Sequence, residues 1–188
     1  MKKTVIAIVV TLLACCCVFG TTLAFLVDKT DPVTNTFTFG DVKIELAETT
    51  GAEYDVVPGA TIAKNPKVTV RAGSEACYLF IQIEEKNNTI PGGSEKIVSY
   101  ELHSNWTALN GVAGVYYITV SDTTAADTPY QVLAGGTAGQ VTISSNVTKD
   151  HLEAIAENAP ALIFTAYAVQ KDNVANAAAA WAIANPTT

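Results

Sequence analysis

The chain has 188 residues, of which 49% are hydrophobic and 15% charged, and its formal net charge at pH 7 is −7. An acidic chain without a basic cluster argues against nucleic acids and anionic membrane surfaces as partners. The length suits one domain with a substantial hydrophobic core.

The first 24 residues have the pattern of a secretory signal peptide. Lys2 and Lys3 form a positive start, and the apolar run after them ends in small residues at 20–24. We therefore predict cleavage between Ala24 and Phe25, with membrane contact only through this peptide. A permanent membrane helix is the alternative, since the uncharged run exceeds the ~20 residues that span a bilayer. The break at Gly20 favours cleavage.

Cysteine usage agrees with export. Cys15, Cys16 and Cys17 lie inside the predicted signal peptide, so the mature chain keeps one cysteine, Cys77, and forms no internal disulfide. Residues 12–15 loosely resemble a lipoprotein cleavage box, so lipidation at Cys15 is an alternative. Removing residues 1–24 also removes two lysines and no acidic residue, so the formal charge becomes −9.

Two apolar runs define the predicted sheet centres. Residues 76–85 are apolar on both faces, as expected of a strand in the middle of a packed sheet. Residues 162–169 share this pattern, which predicts a second central strand. Before the first run, Pro58-Gly59 is typical of a turn, and Val68 and Val70 alternate with polar residues as in a half-buried strand.

Shorter elements complete an all-β pattern. Further strands are predicted at 33–39, 42–46, 97–102, 114–120, 130–133 and 141–147, with an Asn110-Gly111 hairpin turn. Asp150 and Glu153 resemble a capping box for a brief helix ended by Pro160. An alanine-rich terminal helix over 174–183 would be held by Trp181. Many short strands with little helix predict an antiparallel β-sandwich with short helices near the C-terminus.

Three stretches resemble the TasA/camelysin family of secreted Gram-positive proteins. They are the turn PGATI-x-KNP-x-VTV at 58–70 with the strand after it, GTTLAFLVDKTDPVTNTFTFGDVKIEL at 20–46, and LIFTAYAVQ at 162–170. The resemblance implies a jelly-roll-like sandwich, a signal peptidase of the SipW type, and subunits that form biofilm-matrix fibres. It carries no catalytic signature.

The predicted mature N-terminus is the most suggestive segment. Its apolar side chains recur on a threonine-rich backbone; they are Phe25, Val27, Val33, Phe37 and Phe39. A free terminus with strand patterning can complete another subunit's sheet through main-chain hydrogen bonds, and the resemblance implies this kind of strand donation. The alternative is an ordinary first strand in its own domain. We therefore divide the chain into a signal peptide (1–24), a candidate donor segment (25–40) and a single sandwich domain (41–188).

Residues with catalytic or metal-binding chemistry are sparse. The two histidines, His103 and His151, do not form an HExxH motif. Cys77 lies in an apolar run, which predicts a buried and unreactive thiol. Asp122 and Asp127 flank a loop but lack the dense oxygen ligands of a calcium site. We therefore predict no catalytic residue, no metal and no cofactor.

The export pattern, the sparse catalytic chemistry and the family resemblance together imply a secreted, non-enzymatic structural protein. Its subunits would join head to tail into extracellular matrix or surface fibres through the N-terminal strand, a contact that does not close on itself. The implied partners are other copies of the chain, accessory matrix proteins and the signal peptidase. The alternatives are a camelysin-like secreted metallopeptidase and a monomeric surface domain that binds a ligand.

Overall fold

The computed structural model describes residues 41–51, 54–121 and 125–185. All of them belong to the second of two units, Phe39–Thr188. The predicted signal peptide, its cleavage site and the candidate donor segment lie outside the described residues.

Strands dominate the described part of the chain. In chain order the strands are β1 (Ile44–Ala47), β2 (Thr61–Ala63), β3 (Lys67–Val70), β4 (Cys77–Lys86), β5 (Val98–Tyr100), β6 (Thr107–Ala108), β7 (Val115–Val120), β8 (Thr128–Gln131), β9 (Gln140–Ile143) and β10 (Ala161–Gln170). The helices are α1 (Lys149–Ala154) and α2 (Ala177–Ala184).

One layer of the fold is the antiparallel sheet β10-β4-β7-β6. Cys77 at the start of β4 lies opposite Gln170 on one side and Val120 on the other. The central place predicted for the 76–85 strand is therefore confirmed. The predicted Asn110-Gly111 turn lies between β6 and β7, where Gly111 adopts a φ of +80° that suits a residue without a side chain.

The other layer combines the sheets β1-β3-β8 and β2-β9-β5. Backbone hydrogen bonds join them, because Val132 donates to Pro66 at 3.0 Å and Ala134 donates to Glu101 at 2.8 Å. Strands β2 and β3 follow each other along one line, and β9 and β8 pair with them in turn. A Cβ atom at Gly139 would lie 2.6 Å from the Lys64 carbonyl oxygen, so the close approach of the two backbone segments requires glycine at this position.

The chain passes repeatedly from one layer to the other, from β3 to β4, then to β5, to β7, to β8–β9 and to β10. Every strand pairing is antiparallel. This architecture confirms the predicted all-β, antiparallel sandwich. Among the described residues, no helix has the length and apolar character needed to cross a membrane.

The core lies on both sides of β4. Leu79 and Ile81 are fully buried between the layers, together with residues from both sheets of the second layer. Tyr78 and Phe80 point to the opposite face, where they pack against α2. Trp181 of that helix contacts Phe80 with ring centroids 5.4 Å apart, which confirms the prediction that Trp181 holds the terminal helix.

Three local predictions need correction. The helix cap is Thr148 rather than Asp150, because the Thr148 hydroxyl accepts the His151 backbone N–H and the His151 side chain accepts the Thr148 N–H. The helix ends at Ala154, well before Pro160. Strand β10 was predicted to be central, yet within the described residues it borders β4 alone.

Candidate assembly edge

The free side of β10 is the most distinctive feature of the described surface. The strand has 10 residues, and its only hydrogen-bonded neighbour in the described chain is β4. From Ala161 to Val169 it carries no charged residue and no proline. Edge strands are usually shortened, charged or interrupted by proline because unpaired backbone groups recruit other strands. The β10 edge lacks these protections.

Burial along β10 is incomplete beside the fully buried β4. Ile81 and Leu79 of β4 are completely buried, but Ala166 and Ala168, which lie opposite them on β10, are only half-buried. On the other face of β10, Ile163 is 38% exposed. A further strand beside β10 would remove this apolar surface from water.

Strand β1 reaches the same flank from the other layer. It packs beside β10, although no backbone ladder joins the two strands. Ile44 packs against the core, and Leu46, two residues further along the same face, is 37% exposed. The two layers therefore present apolar edge strands side by side.

A buried ion pair holds β1 and the chain after β2 against β10 on this flank. The Lys64 Nζ atom lies 2.9 Å from both carboxylate oxygens of Glu48, and Lys64 as a whole is only 9% exposed. The same ammonium group lies 5.1 Å from the Tyr54 ring centroid and 5.6 Å from that of Phe164. These contacts tie the end of β1 and the segment after β2 to β10.

The neighbouring Asn65 explains the KNP part of the turn motif. Its side-chain oxygen accepts the backbone N–H groups of Thr49 and Thr50 at 2.9 and 3.1 Å, and its amide donates to the Thr49 hydroxyl at 2.7 Å. Pro66 is fully buried and its carbonyl accepts from Val132. The motif therefore anchors the loop after β1 and has a structural role.

A small cavity opens beside the first residues of β10. Its volume is about 160 Å³, and its lining combines apolar side chains from both layers with Lys64 and Tyr54. The β10 contribution is Ala161 and Leu162, preceded by Pro160. The cavity thus lies at the end of the flank where β10 begins.

The sequence candidates for other chemistry are engaged elsewhere. The Asp127 carboxylate accepts the Ala72 backbone N–H at 2.9 Å and pairs with Arg71, which also contacts Glu45. These contacts, the backbone hydrogen bond first, hold the pKa of Asp127 below its usual value. Asp127 therefore acts as a clip at the end of β3, while Asp122 lies outside the described residues.

The two histidines have different structural roles. His151 completes the capping box of α1 by accepting the Thr148 backbone N–H, and His103 accepts a weak hydrogen bond from the Asn105 backbone N–H at 3.4 Å. In the described ranges, no three His, Cys, Asp or Glu side chains gather in a way that could hold a metal ion. Cys77 is fully buried, as predicted, and desolvation raises the pKa of its thiol to about 11.

Another carboxylate, Glu85, was not singled out from the sequence. It accepts hydrogen bonds from Lys96 at 2.6 Å, Asn88 at 2.8 Å and Tyr100 at 3.0 Å. Burial alone would raise the pKa of Glu85, but these hydrogen bonds outweigh it and lower the pKa. Three donors make Glu85 an anchor for the loop after β4 and not a free acid or base.

The predicted cleavage residues Ala24 and Phe25, and the predicted interface residues Val27, Val33, Phe37 and Phe39, all lie outside the described residues. Comparison of the chain with protein-family models, with curated proteins and with solved structures finds no match in any of the three.

Proposed function

We propose that this chain is a secreted structural protein whose subunits polymerise into extracellular fibres by strand donation. The observation that carries the proposal is the uncharged, ten-residue edge of β10, which has no backbone partner among the described residues. A donated strand would pair with this edge through backbone hydrogen bonds, and its alternate side chains would cover the half-buried inner face of β10.

The candidate donor is the segment 25–39 of a neighbouring subunit. Its 15 residues would span about 50 Å when extended, whereas β10 needs only about 33 Å of partner strand. Val33, Phe37 and Phe39 share one face in an extended chain. Burying each such side chain would contribute roughly 1.5–3 kcal/mol, so a few anchors could hold a subunit in place.

The family resemblance supports the same proposal. The segment 162–170, which resembles a core strand of the TasA/camelysin family, forms the strand whose outer edge is unpaired within the described part of the chain. The segment 20–46, which resembles the family's mature N-terminus, contains the candidate donor. In this proposal, the fibre is a head-to-tail polymer in the matrix or at the cell surface, with accessory matrix proteins as further partners.

Electron microscopy of the purified mature protein tests the proposal. We expect fibres from the intact mature chain and dispersed, folded monomers after deletion of residues 25–39. Thr165, exposed on β10, allows a second test, because Thr165→Lys would place a charge at the acceptor edge. Thr119→Lys is the matched control, since Thr119 is exposed on β7 of the same sheet.

The contrary outcomes are distinct. If Thr165→Lys polymerises as well as Thr119→Lys, β10 is not the acceptor. If the intact chain stays monomeric, the monomeric surface-domain alternative is favoured. Chelator-sensitive cleavage of casein by the purified protein would favour the peptidase alternative.

A further inference from the structure

We infer that the donated strand runs antiparallel to β10 of the acceptor, with Phe39 beside the first residues of that strand. This inference rests on the proposed function and adds the direction and position of the contact. It follows from where the described chain begins relative to β10.

Strand β1 begins at the end of the sandwich where β10 finishes. Ile44 pairs with Val70 at the end of β3, and a short turn over 71–76 leads directly to Cys77. Cys77 pairs with Gln170, the last residue of β10. Strands β1 and β10 therefore run in opposite directions, and the described chain begins, at Asp41, at the end of the sandwich where β10 finishes.

Backbone hydrogen bonds hold Asp41 at this end of the sandwich. The Glu75 N–H donates to the Asp41 carbonyl at 3.1 Å, and the Lys171 N–H donates to the Ala76 carbonyl at 2.8 Å. Asp41 and the chain at the end of β10 thus both lie against the turn between β3 and β4. We refer to this end as the exit end, and to the opposite end, where β10 begins at Ala161, as the entry end.

Because Asp41 lies at the exit end, a donated segment and a segment that pairs within its own subunit would run in opposite directions relative to β10. In a head-to-tail fibre, the entry end of one subunit faces the exit end of the previous one, and a screw rotation about the fibre axis preserves strand direction. A donor segment that extends away from its own exit end runs antiparallel to the next β10. The same segment folded back onto its own β10 would run parallel to it.

The length of chain between Asp41 and each donor residue determines which part of β10 that residue can lie beside. Phe39 is only two residues from Asp41, or at most about 7 Å of chain. It must therefore stay at the junction, next to Ala161 and Leu162 of the acceptor and the cavity of about 160 Å³ that they line. With Phe39 opposite Leu162, Phe37 lies opposite Phe164, and apolar side chains share the inner face.

Disulfide trapping between two variants tests the direction. Both carry Cys77→Ser. One has a single donor-side cysteine (Thr34→Cys, Thr36→Cys or Thr38→Cys), and the other has a single acceptor-side cysteine (Ile163→Cys or Thr165→Cys). Because each variant, prepared as the mature chain from residue 25 onward, holds one cysteine, a disulfide between a donor-side and an acceptor-side variant joins different subunits. Opposite residues meet disulfide geometry, whereas positions four residues apart are separated by about 13 Å along the strand.

We expect Ile163→Cys to link to Thr38→Cys and not to Thr34→Cys, and Thr165→Cys to link to Thr36→Cys. Whatever the register, moving the acceptor cysteine from 163 to 165 should move its preferred donor position towards the N-terminus. A shift towards the C-terminus would overturn the antiparallel direction while leaving donation intact. Fibres without any such link would overturn β10 as the acceptor. Links only within one chain, seen in a Thr34→Cys/Ile163→Cys double variant that stays monomeric, would overturn donation itself.

Discussion

Lys64 and Glu48 form the one ion pair in the described residues whose two side chains are both mostly buried, at 11% and 22% exposure. Removing two charges from water is costly, and their attraction offsets this cost only while both partners are present. The rings of Tyr54 and Phe164 add favourable contacts with the ammonium group. The pair therefore makes the position of β10 depend on a residue that follows β1.

Loss of one partner should be more harmful than loss of both. We expect Glu48→Gln to lower the free energy of unfolding by about 3 kcal/mol, because it leaves the Lys64 charge buried and unpaired. The double change Glu48→Leu with Lys64→Met should cost clearly less than the sum of the single changes. Urea denaturation measures both effects.

The exposed pair Lys43–Asp41 is the matched control, with side chains 64% and 63% exposed. Lys43→Met should change stability by less than about 1 kcal/mol. An equal loss from Lys43→Met and Glu48→Gln would show that burial does not set the strength of the Lys64 pair.

Cys77 makes the free energy of unfolding depend on pH in the alkaline range. Burial raises the pKa of its thiol to about 11, whereas an unfolded cysteine titrates near roughly 8.5. The thiol's contribution is therefore complete below the unfolded pKa and is lost as pH rises towards the folded pKa, since only the unfolded chain then ionises.

We expect the free energy of unfolding to fall between about pH 8.5 and 11, by up to about 3 kcal/mol more in the wild type than in Cys77→Ala. Denaturation curves at several pH values test this difference. Tyr100, whose pKa burial also raises, is present in both proteins and cancels. Parallel pH profiles would show that the Cys77 thiol does not titrate differently on folding.

At the scale of elements, α2 shows how an alanine-rich helix is held by one large side chain. Asn176 caps it by accepting the Ala179 N–H at 3.0 Å. Trp181 then packs edge-on against Tyr167 of β10, with ring centroids 5.2 Å apart, and against Phe80 of β4. The helix thus covers the outer face of both strands, including part of the proposed acceptor strand.

Trp181→Ala should therefore destabilise the domain by about 3–5 kcal/mol, the usual cost of removing a large aromatic side chain from a core. Ile183→Ala is the matched control on the same helix, because Ile183 is 61% exposed, and it should have little effect. Thermal and urea unfolding would measure both. Similar losses from the two variants would contradict the assignment of α2 packing to Trp181.

At the scale of the whole molecule, subunits of the same acidic sign repel one another. The predicted mature chain, without residues 1–24, has a formal charge of −9 at pH 7, and the proposed contact is made by backbone and apolar groups that salt does not weaken. Salt shortens the Debye length from about 10 Å at 0.1 M to about 3 Å at 1 M. Fibre growth, followed by light scattering, should therefore be faster at high salt. Slower growth would indicate an interface held by charge attraction.

The donor segment should also act as a separate ligand. A synthetic peptide of residues 25–39, added to the chain truncated before Gly40, should raise its melting temperature without restoring fibres. At a peptide concentration 100 times the Kd, the stabilisation would be about 2.7 kcal/mol. A peptide with Phe37→Ser and Phe39→Ser is the control and should have a much smaller effect. If the truncated chain is unfolded, the segment belongs to its own domain.

The sequence alone determined the features that depend on local periodicity. The pattern of apolar residues predicted the strand class, the central β4 and the alternating strand with Val68 and Val70, which are both fully buried. The alanine-rich run with Trp181 predicted the terminal helix. These features follow from side-chain direction along a regular backbone, which is a property of neighbouring residues.

Only the tertiary structure decided what lies beside each element. Strand β10 is apolar on both faces because the core lies on one side of its sheet and α2 on the other. That pattern depends on the layers above and below a strand and carries no information about the strands beside it. The sequence therefore did not predict that β10 has one unpaired edge within the described residues. The partners of Lys64 and Arg71 were missed for the same reason. Glu48 and Asp127 are distant in sequence, and only the pairing of strands brings them within hydrogen-bonding distance.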